Sequence, residues 1–389
     1  MSRKRYRKRP IDKKKKSSAN GCTRQLSLFE NLDVIAHDEI SKTDTLSRTP
    51  SQKSRRNTML NLALYNEQTQ NQQPTSDRNW KQYNRSQKTE KDVLLSLLLE
   101  LCDGIQETEQ QMGRKRVSLK DILFSIVLKN YNTLSGRRNN CDIVDAFEKG
   151  YLSQSLSYNV IFKYMQSEDV TEILKGMIRT TASVVKEIET DFAFDSTGFG
   201  TPTFTRWFDV KYGSKIKDHA AWHNWYKLHA TCGIKTGIIV DCEVAERHSH
   251  DSVYFKPLFE SIQEQGFKVN RVFADATYAT KNNLRLVVDN EAQPFMMLRK
   301  NAKYSDIDTV WNNLLHLFLA HKEEFYGHYN KRNNIESVFS SIKRKFNSKL
   351  TSKTHTAQVN EILSRALAYN LTVVIRVLSE LEIEPNFKK

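Results

Sequence analysis

Between residues 189 and 375, short apolar runs of strand length alternate with longer runs of helical periodicity, which limits this part of the chain to a mixed sheet covered by helices. TDFAFDST opens it as a strand, and WYKLHATCGI and GIIVDCEVAE supply two or three more. A helix near DSVYFKPLFESIQEQG, a strand in VNRVFADATYAT, a helix near KNNLRLVVDN, the strand QPFMMLRK and the helical stretch YNKRNNIESVFSSIKRKF follow. The final apolar run, QVNEILSRALAYNLTVVIRVLSELEI, is expected to close the core, with residues 376–389 its last turns and tail.

Residues 79–188 carry a different pattern. EKDVLLSLLLELCDGI, SLKDILFSIVLKNYNTL, NNCDIVDAFEKGYL, SYNVIFKYMQ and EDVTEILKGMIRTTASVVKEIE have helical length or apolar spacing, broken by short Gly, Ser and Asn segments, and predict an all-helical domain. Residues 1–78 read as a disordered basic and polar tail. The formal charge of +15 is uneven: the first sixteen residues hold ten basic groups and one acidic one, so +9 of it lies there. Such a tail attracts nucleic acid without regard to sequence. It has no apolar h-region of a secretory signal. With 39% hydrophobic residues and no run read as long enough to span a membrane, the chain is expected to be soluble. The five cysteines, Cys22, Cys102, Cys141, Cys232 and Cys242, lack CxxC spacing and read as free thiols in a reducing compartment.

Chemistry concentrates in the helical stretch near residue 330. Tyr329, Arg332, Glu336 and Lys343 follow a Y-(2)-R-(3)-E-(6)-K spacing, and at ~100° per residue they fall within roughly a 60° sector. Ile335, Val338, Phe339 and Ile342 occupy other sectors and are available for packing. One polar stripe thus presents a carboxylate among two cations and a phenol, which suits a site handling a metal ion and a phosphodiester. A solvated Arg332–Glu336 surface pair is the plain alternative. Two acidic partners decide whether the stripe matters. Asp195 follows Phe192 and Phe194, and Asp275 follows Val272, Phe273 and Ala274, each where a strand is expected to give way to a loop. Either one alone reads equally as an Asp opening a turn or capping a helix. Three acidic groups gathered at one point repel each other and require cations, naturally Mg²⁺ or Mn²⁺.

The Y-(2)-R-(3)-E-(6)-K string resembles, at every defined position, the signature of the DDE transposases of prokaryotic insertion sequences, in the insertion-sequence four and five type groups. The resemblance covers roughly residues 185–375, with SYNVIFKYM at 157–165, KLHATCG at 227–233 and HDS at 250–252 as weaker pieces. Many relatives place a glycine between the second Asp and a tyrosine, whereas this chain reads Asp275, Ala276, Thr277, Tyr278. The resemblance implies a ribonuclease H-like catalytic core over residues 189–375, an α/β fold. About sixty residues separate Asp275 from Glu336, too few for the large β-rich insertion some relatives carry there, so the core is expected to be compact.

It also implies an activity. Asp195, Asp275 and Glu336 would hold two divalent ions, Mg²⁺ with Mn²⁺ as substitute, for in-line attack of water on a phosphodiester at the element end. The freed 3′-hydroxyl would then attack target DNA. Tyr329, Arg332 and Lys343, continued by Arg344 and Lys345, would hold the strand around the scissile phosphate. The helical region would read the element's terminal inverted repeats, with Arg114, Lys115, Arg116, Arg137 and Arg138 as candidate phosphate contacts, or would serve only packing and oligomerisation. Joining two ends implies a homodimer, and the family implies a prokaryotic cytoplasm in association with the nucleoid. A transposase-derived DNA-binding protein with idle chemistry, and a structure-selective nuclease of the same fold, are the competing readings.

Three further features stand apart. Gln25, Leu26, Ser27, Leu28 and Phe29 resemble the short peptide with which bacterial DNA-processing proteins dock on the replicative sliding clamp, Gln25 offering its amide and Leu28 and Phe29 an apolar pair. The same five residues also read as a chance pentapeptide or as a piece that packs on the body. His248, His250 and Asp251 invite a metal reading, but a loop leading into a helix that Asp251 caps explains them more simply. Trp222, Trp225 and Tyr226 offer base stacking, or packing at the core or sheet edge.

Overall fold

The computed structural model describes residues 80–107, 112–113, 116–201 and 225–380. Helices α1 (Trp80–Asp103), α2 (Leu119–Asn132), α3 (Asn140–Glu148), α4 (Tyr158–Tyr164) and α5 (Glu168–Ala182) come first. They deliver the chain to a five-stranded sheet: β1 (Asp191–Gly200), β2 (Trp225–Gly233), β3 (Ile239–Glu246), β4 (Arg271–Ala274) and β5 (Gln293–Met296). Its order is β3-β2-β1-β4-β5. β1, β2 and β3 pair antiparallel, while β4 and β5 join β1 in parallel through α6 (Phe255–Glu264) and α7 (Lys281–Asp289). After β5 come α8 (Thr309–Ala320), α9 (Lys322–Tyr329), a 3-10 turn (Asn330–Arg332), α10 (Asn333–Phe346) and α11 (His355–Glu380). Between Asp275 and Glu336 there are only helices and β5, so the compact connection expected from length is present. α8 was not separately recognised in the sequence.

The sheet holds because both of its faces are apolar. Phe192 and Phe194 alternate onto one face, where their rings meet Phe267 at 5.6 Å and Phe255 at 4.6 Å. The other face takes α10 through Ile335, Val338, Phe339 and Ile342, all buried as their sectors predict. In the β2–β3 turn, Gly237 sits at φ +73°, and a Cβ there would meet Val338 Cγ2 at 3.2 Å and the Tyr369 hydroxyl at 3.3 Å. Position 237 therefore excludes a side chain on both counts.

α11 runs through the middle of the molecule. It packs against α1, α2 and α5 on one side and β3 on another, so the amino-terminal helices and the sheet share one hydrophobic cluster. Asn370, fully buried in α11, donates to Ile239 O at 2.7 Å and accepts from Ile239 N at 2.9 Å, satisfying the start of an edge strand. By length and mean hydropathy α11 could cross a membrane, contrary to the expectation that no such run exists. Within that apolar window 89% is buried inside the protein, which identifies it as the core helix. Among the described residues Cys102, Cys141, Cys232 and Cys242 are free thiols, and Cys22 lies outside them.

Candidate active site

β1 pairs with β4 only as far as Phe194 opposite Ala274. Asp195 and Asp275 are the next residues on the two strands, which brings their backbones side by side at the end of the parallel ladder. β4 stops there, as expected for Asp275. β1 does not: antiparallel pairing with β2 continues to Gly200, so Asp195 lies in mid-strand rather than at a strand end. β2 goes on satisfying the β1 backbone after β4 has turned away. Asp275 closes its own turn, accepting from Thr277 N at 2.8 Å and Thr277 Oγ1 at 2.5 Å. Thr277, which precedes Tyr278, is thus bonded to the carboxylate. Its φ is not among the positive ones.

The signature stretch is not one continuous α-helix. Tyr329 ends α9, Arg332 closes the 3-10 turn, and Glu336 and Lys343 lie on α10. All of these residues keep right-handed helical dihedrals, but the tighter turn alters the phase between Tyr329 and the rest. Arg332 reaches from that turn to β1. Its Nη1 donates to Asp195 Oδ2 at 2.6 Å, and its Nη2 pairs with Glu336 Oε1. Side-chain exposure is 13% for Arg332 and 17% for Asp195, but 55% for Glu336, so the first pair is sheltered and the second half-open. Tyr329 lies alongside, its ring 5.8 Å from the guanidinium.

Burial pushes Asp195 up to about 6, assisted by the neighbouring Asp275 charge and opposed by the Ser196 backbone N–H and by Arg332. Burial likewise raises the Tyr329 phenol. Lys343 donates to Thr197 Oγ1 at 2.7 Å and lies over the Phe199 ring at 5.6 Å, on the same face of β1 as Asp195, and burial lowers its pKa. Lys345 is turned away and pairs with Glu90 of α1 at 2.8 Å, while Arg344 is exposed. The three basic residues are therefore not one continuous surface: at ~100° per residue, positions 343 and 345 face nearly opposite ways. Asp195 and Glu336 share one guanidinium and Asp195 feels Asp275. Even so, among the described residues no three acidic, His or Cys side chains converge closely enough to hold a metal ion.

Sequence reasoning missed what lies behind this pair. On the opposite face of the sheet His229 is fully buried, stacked on Tyr254 at 4.1 Å and 13°, with neither ring nitrogen hydrogen-bonded among the described residues. Burial lowers its pKa to about 4. Lys227 donates to Asp251 at 2.8 Å, so Asp251 serves as an ion-pair partner and caps no helix. Tyr278, also buried, hydrogen-bonds the Ser196 side chain. Only the β1–β2 register, which sets Ser196 opposite His229, reveals this grouping.

Comparison with known proteins bears on the same segment. The transposase DDE domain family matches residues 187–371, from just before β1 to within α11. The chain is also 23% identical over 265 residues to the probable transposase for insertion sequence element ISA1214 of Archaeoglobus fulgidus, covering 66% of this chain and 77% of that protein. Residues 187–371 thus match the domain of the DDE transposases of insertion sequences. A DDE domain implies a ribonuclease H-like fold, and the mixed sheet flanked by helices agrees with it. A transposase acts on DNA, and the family generally uses divalent metal ions.

The other expected residues are scattered. Arg137 lies over the Tyr158 ring at 5.8 Å, Arg138 and Arg116 are exposed, and Arg114 and Lys115 lie outside the described residues. So do the clamp-like Gln25, Leu28 and Phe29, and Trp222. Trp225 packs over Gly198 and beneath Arg247 with its ring still exposed, while Tyr226 is buried and its hydroxyl is bonded to His355. His250 is bonded to Ser252 and His248 to Arg247, with no metal grouping among them.

Proposed function

We propose that this chain binds the ends of its insertion sequence, cleaves phosphodiester bonds there, and joins the freed 3′-hydroxyl to target DNA. The observation that carries this reading is the guanidinium of Arg332 lying between Asp195 and Glu336, with the Asp275 charge acting on Asp195. That position already accepts a cation, and the donor set is all carboxylate oxygen, which fits Mg²⁺ or Mn²⁺. When bound, such ions supply the activated oxygen nucleophile and neutralise the leaving oxygen. Asp195, Asp275 and Glu336 would hold them.

The chain's own residues do the remaining work. Asp195 must be ionised to act as a ligand, and its raised pKa makes that step favour pH above about 6. Arg332 balances the carboxylates, and its forked donors would suit a phosphate oxygen. Lys343, held by Thr197 on the Asp195 face of β1, is placed to contact the same strand. Tyr329 shields the guanidinium from water. No covalent intermediate on the protein is needed, so the chemistry asks for no Ser, Cys or Tyr nucleophile.

The purified protein, incubated with Mg²⁺ and labelled DNA carrying the flanking element end, is expected to cleave that end and join it to target DNA. Asp195→Ala, Asp275→Ala and Glu336→Ala should each abolish both steps while retaining DNA binding. Specific binding without cleavage, even with Mn²⁺, would instead identify an idle DNA-binding protein, a reading favoured by the failure of the three carboxylates to converge. Cleavage of branched DNA without joining would identify a nuclease.

A further inference from the structure

We infer that Glu361 and Arg365 of α11 are positioning residues for the reaction proposed above, on which this inference rests. By clasping the segment after α10 to the far end of β1, they set where Glu336 and Lys343 stand over Asp195. Among the described residues, β1 has a strand partner on its β4 edge only as far as Phe194. β2 occupies the other edge as far as Gly200, so the residues that bridge to Gly200 from beyond α10 lie on the β4 side. Gly200 N donates to Ser348 O at 3.1 Å, and Leu350 N donates to Gly200 O at 2.8 Å. Residues 195–199 are thus left as an open window in the ladder, about 17 Å long at ~3.3 Å per residue. Asp195 stands at one end of it and the bridge just past the other.

The bridging segment is held from below. Asn347, just past α10, has φ +72°, a left-handed conformation that a residue with a side chain keeps only where its surroundings impose it. The groups that impose it come from α11. Arg365 donates to Asn347 O at 2.9 Å and to Lys349 O at 3.0 Å. Glu361 accepts from Thr351 N at 3.0 Å, Thr351 Oγ1 at 3.0 Å and Ser352 N at 2.8 Å. The two side chains also pair with each other, and only 3% of Arg365 and none of Glu361 is exposed. Two charges that are costly to bury therefore serve the backbone of one short segment. α10 is tied to β1 by Arg332 at Asp195 and by this bridge at Gly200, with Lys343 bonded to Thr197 between them. Cations entering among the carboxylates compete with the first tie. The second consists of backbone groups over a buried ion pair, which such cations do not reach, so it keeps Glu336 and Lys343 in place over β1 when the first gives way.

The test compares two substitutions at Gly200 in the full chain. A Cβ there meets nothing within 4 Å, so Gly200→Ala keeps the bridge, whereas Gly200→Pro removes the N–H that donates to Ser348. Gly200→Ala should match wild type. Gly200→Pro should speed amide exchange at Leu350 and weaken Mn²⁺ binding measured without DNA. It should also lower kcat for end cleavage by about tenfold to a hundredfold, with KM for the DNA and the melting temperature close to those of Gly200→Ala. Arg365→Lys keeps a charge beside Glu361 but lacks the fork that serves two carbonyls, and should show the same loss of kcat. Equal kcat in the two Gly200 variants would overturn the positioning role. So would a loss confined to KM, which would mark the segment as a DNA contact, or a loss of kcat with Leu350 exchange unaltered, since the bridge would then be intact. If wild type binds Mn²⁺ but cleaves no element end, the transposase reading falls, and the clasp then stands or falls on whether Gly200→Pro weakens Mn²⁺ binding.

Discussion

Replacing Arg332 by glutamine should make the DNA-free protein bind a divalent ion more tightly while it cleaves DNA less well. The guanidinium gives Asp195 a charge-assisted contact of 2.6 Å in which both side chains are mostly covered. Such a contact contributes about 1.5–3 kcal/mol. The second contact, to Glu336, adds at most about 1 kcal/mol because that carboxylate is 55% exposed and screened by water. An incoming cation must displace both. At about 1.4 kcal/mol per tenfold, removing the resident charge should tighten Mn²⁺ binding by roughly tenfold to several hundredfold, read by calorimetry at pH 7.5 without DNA. Glutamine keeps a polar group near Asp195 but loses the charge and the fork that would grip a phosphate, so end cleavage should fall by about a hundredfold. Arg332→Lys retains the charge and should leave Mn²⁺ binding near wild type. If Arg332→Gln binds Mn²⁺ no better than wild type, the guanidinium is not standing in for a cation and the argument fails.

Four other outcomes test separate parts of the structure. Glu361, almost wholly buried, pairs with Arg365 and accepts from Thr351 N at 3.0 Å and Ser352 N at 2.8 Å; Glu361→Gln should destabilise the protein by about 3–5 kcal/mol in urea unfolding, because Arg365 is left as an unpaired buried charge. His229 is held neutral by burial with its pKa near 4, below the ordinary histidine value of 6.5, so its contribution to stability is full above pH 6.5 and lost as pH falls to 4. His229→Phe keeps the stack on Tyr254 and should remove about 3 kcal/mol of that pH dependence, measured as the wild-type minus variant unfolding free energy at pH 4 and pH 7. Asp195 works in the opposite sense in metal-free protein: its raised pKa makes folding less favourable as pH rises from about 4 through 6, and Asp195→Asn should abolish that falling limb in the same assay. Lys343→Met replaces the ammonium over Phe199 by an unbranched apolar side chain and should lower cleavage about tenfold or more with little change in stability, checked by parallel kinetics and melting.

What could be read from the sequence followed from periodicity, and what could not followed from register. Alternating Phe192 and Phe194 marked β1, and Val272, Phe273 and Ala274 marked β4, because a strand with a covered face must place every second side chain inward. The 3.6-residue period likewise put Ile335, Val338, Phe339 and Ile342 beneath α10 and left Glu336 and Lys343 outside. Period says which residues share a face but not what that face meets. Asp195 reads as a strand end because its apolar run stops there, yet β2 supplies partners for five more residues. α11 passed for an ordinary closing helix although it is the most buried element, since burial on every side leaves no polar stripe to read. α8 was overlooked, its run VWNNLLHLFLA keeping only Leu314 and Leu315 buried. The same limit explains Arg332. Along the helix its nearest opposite charge is Glu336, four residues on, and the sequence offered a surface ion pair or a phosphate contact. Across the sheet, 137 residues away in the chain, Asp195 stands closer than hydrogen-bond distance requires, and it is this tertiary contact that turns the stripe into one part of a charged centre.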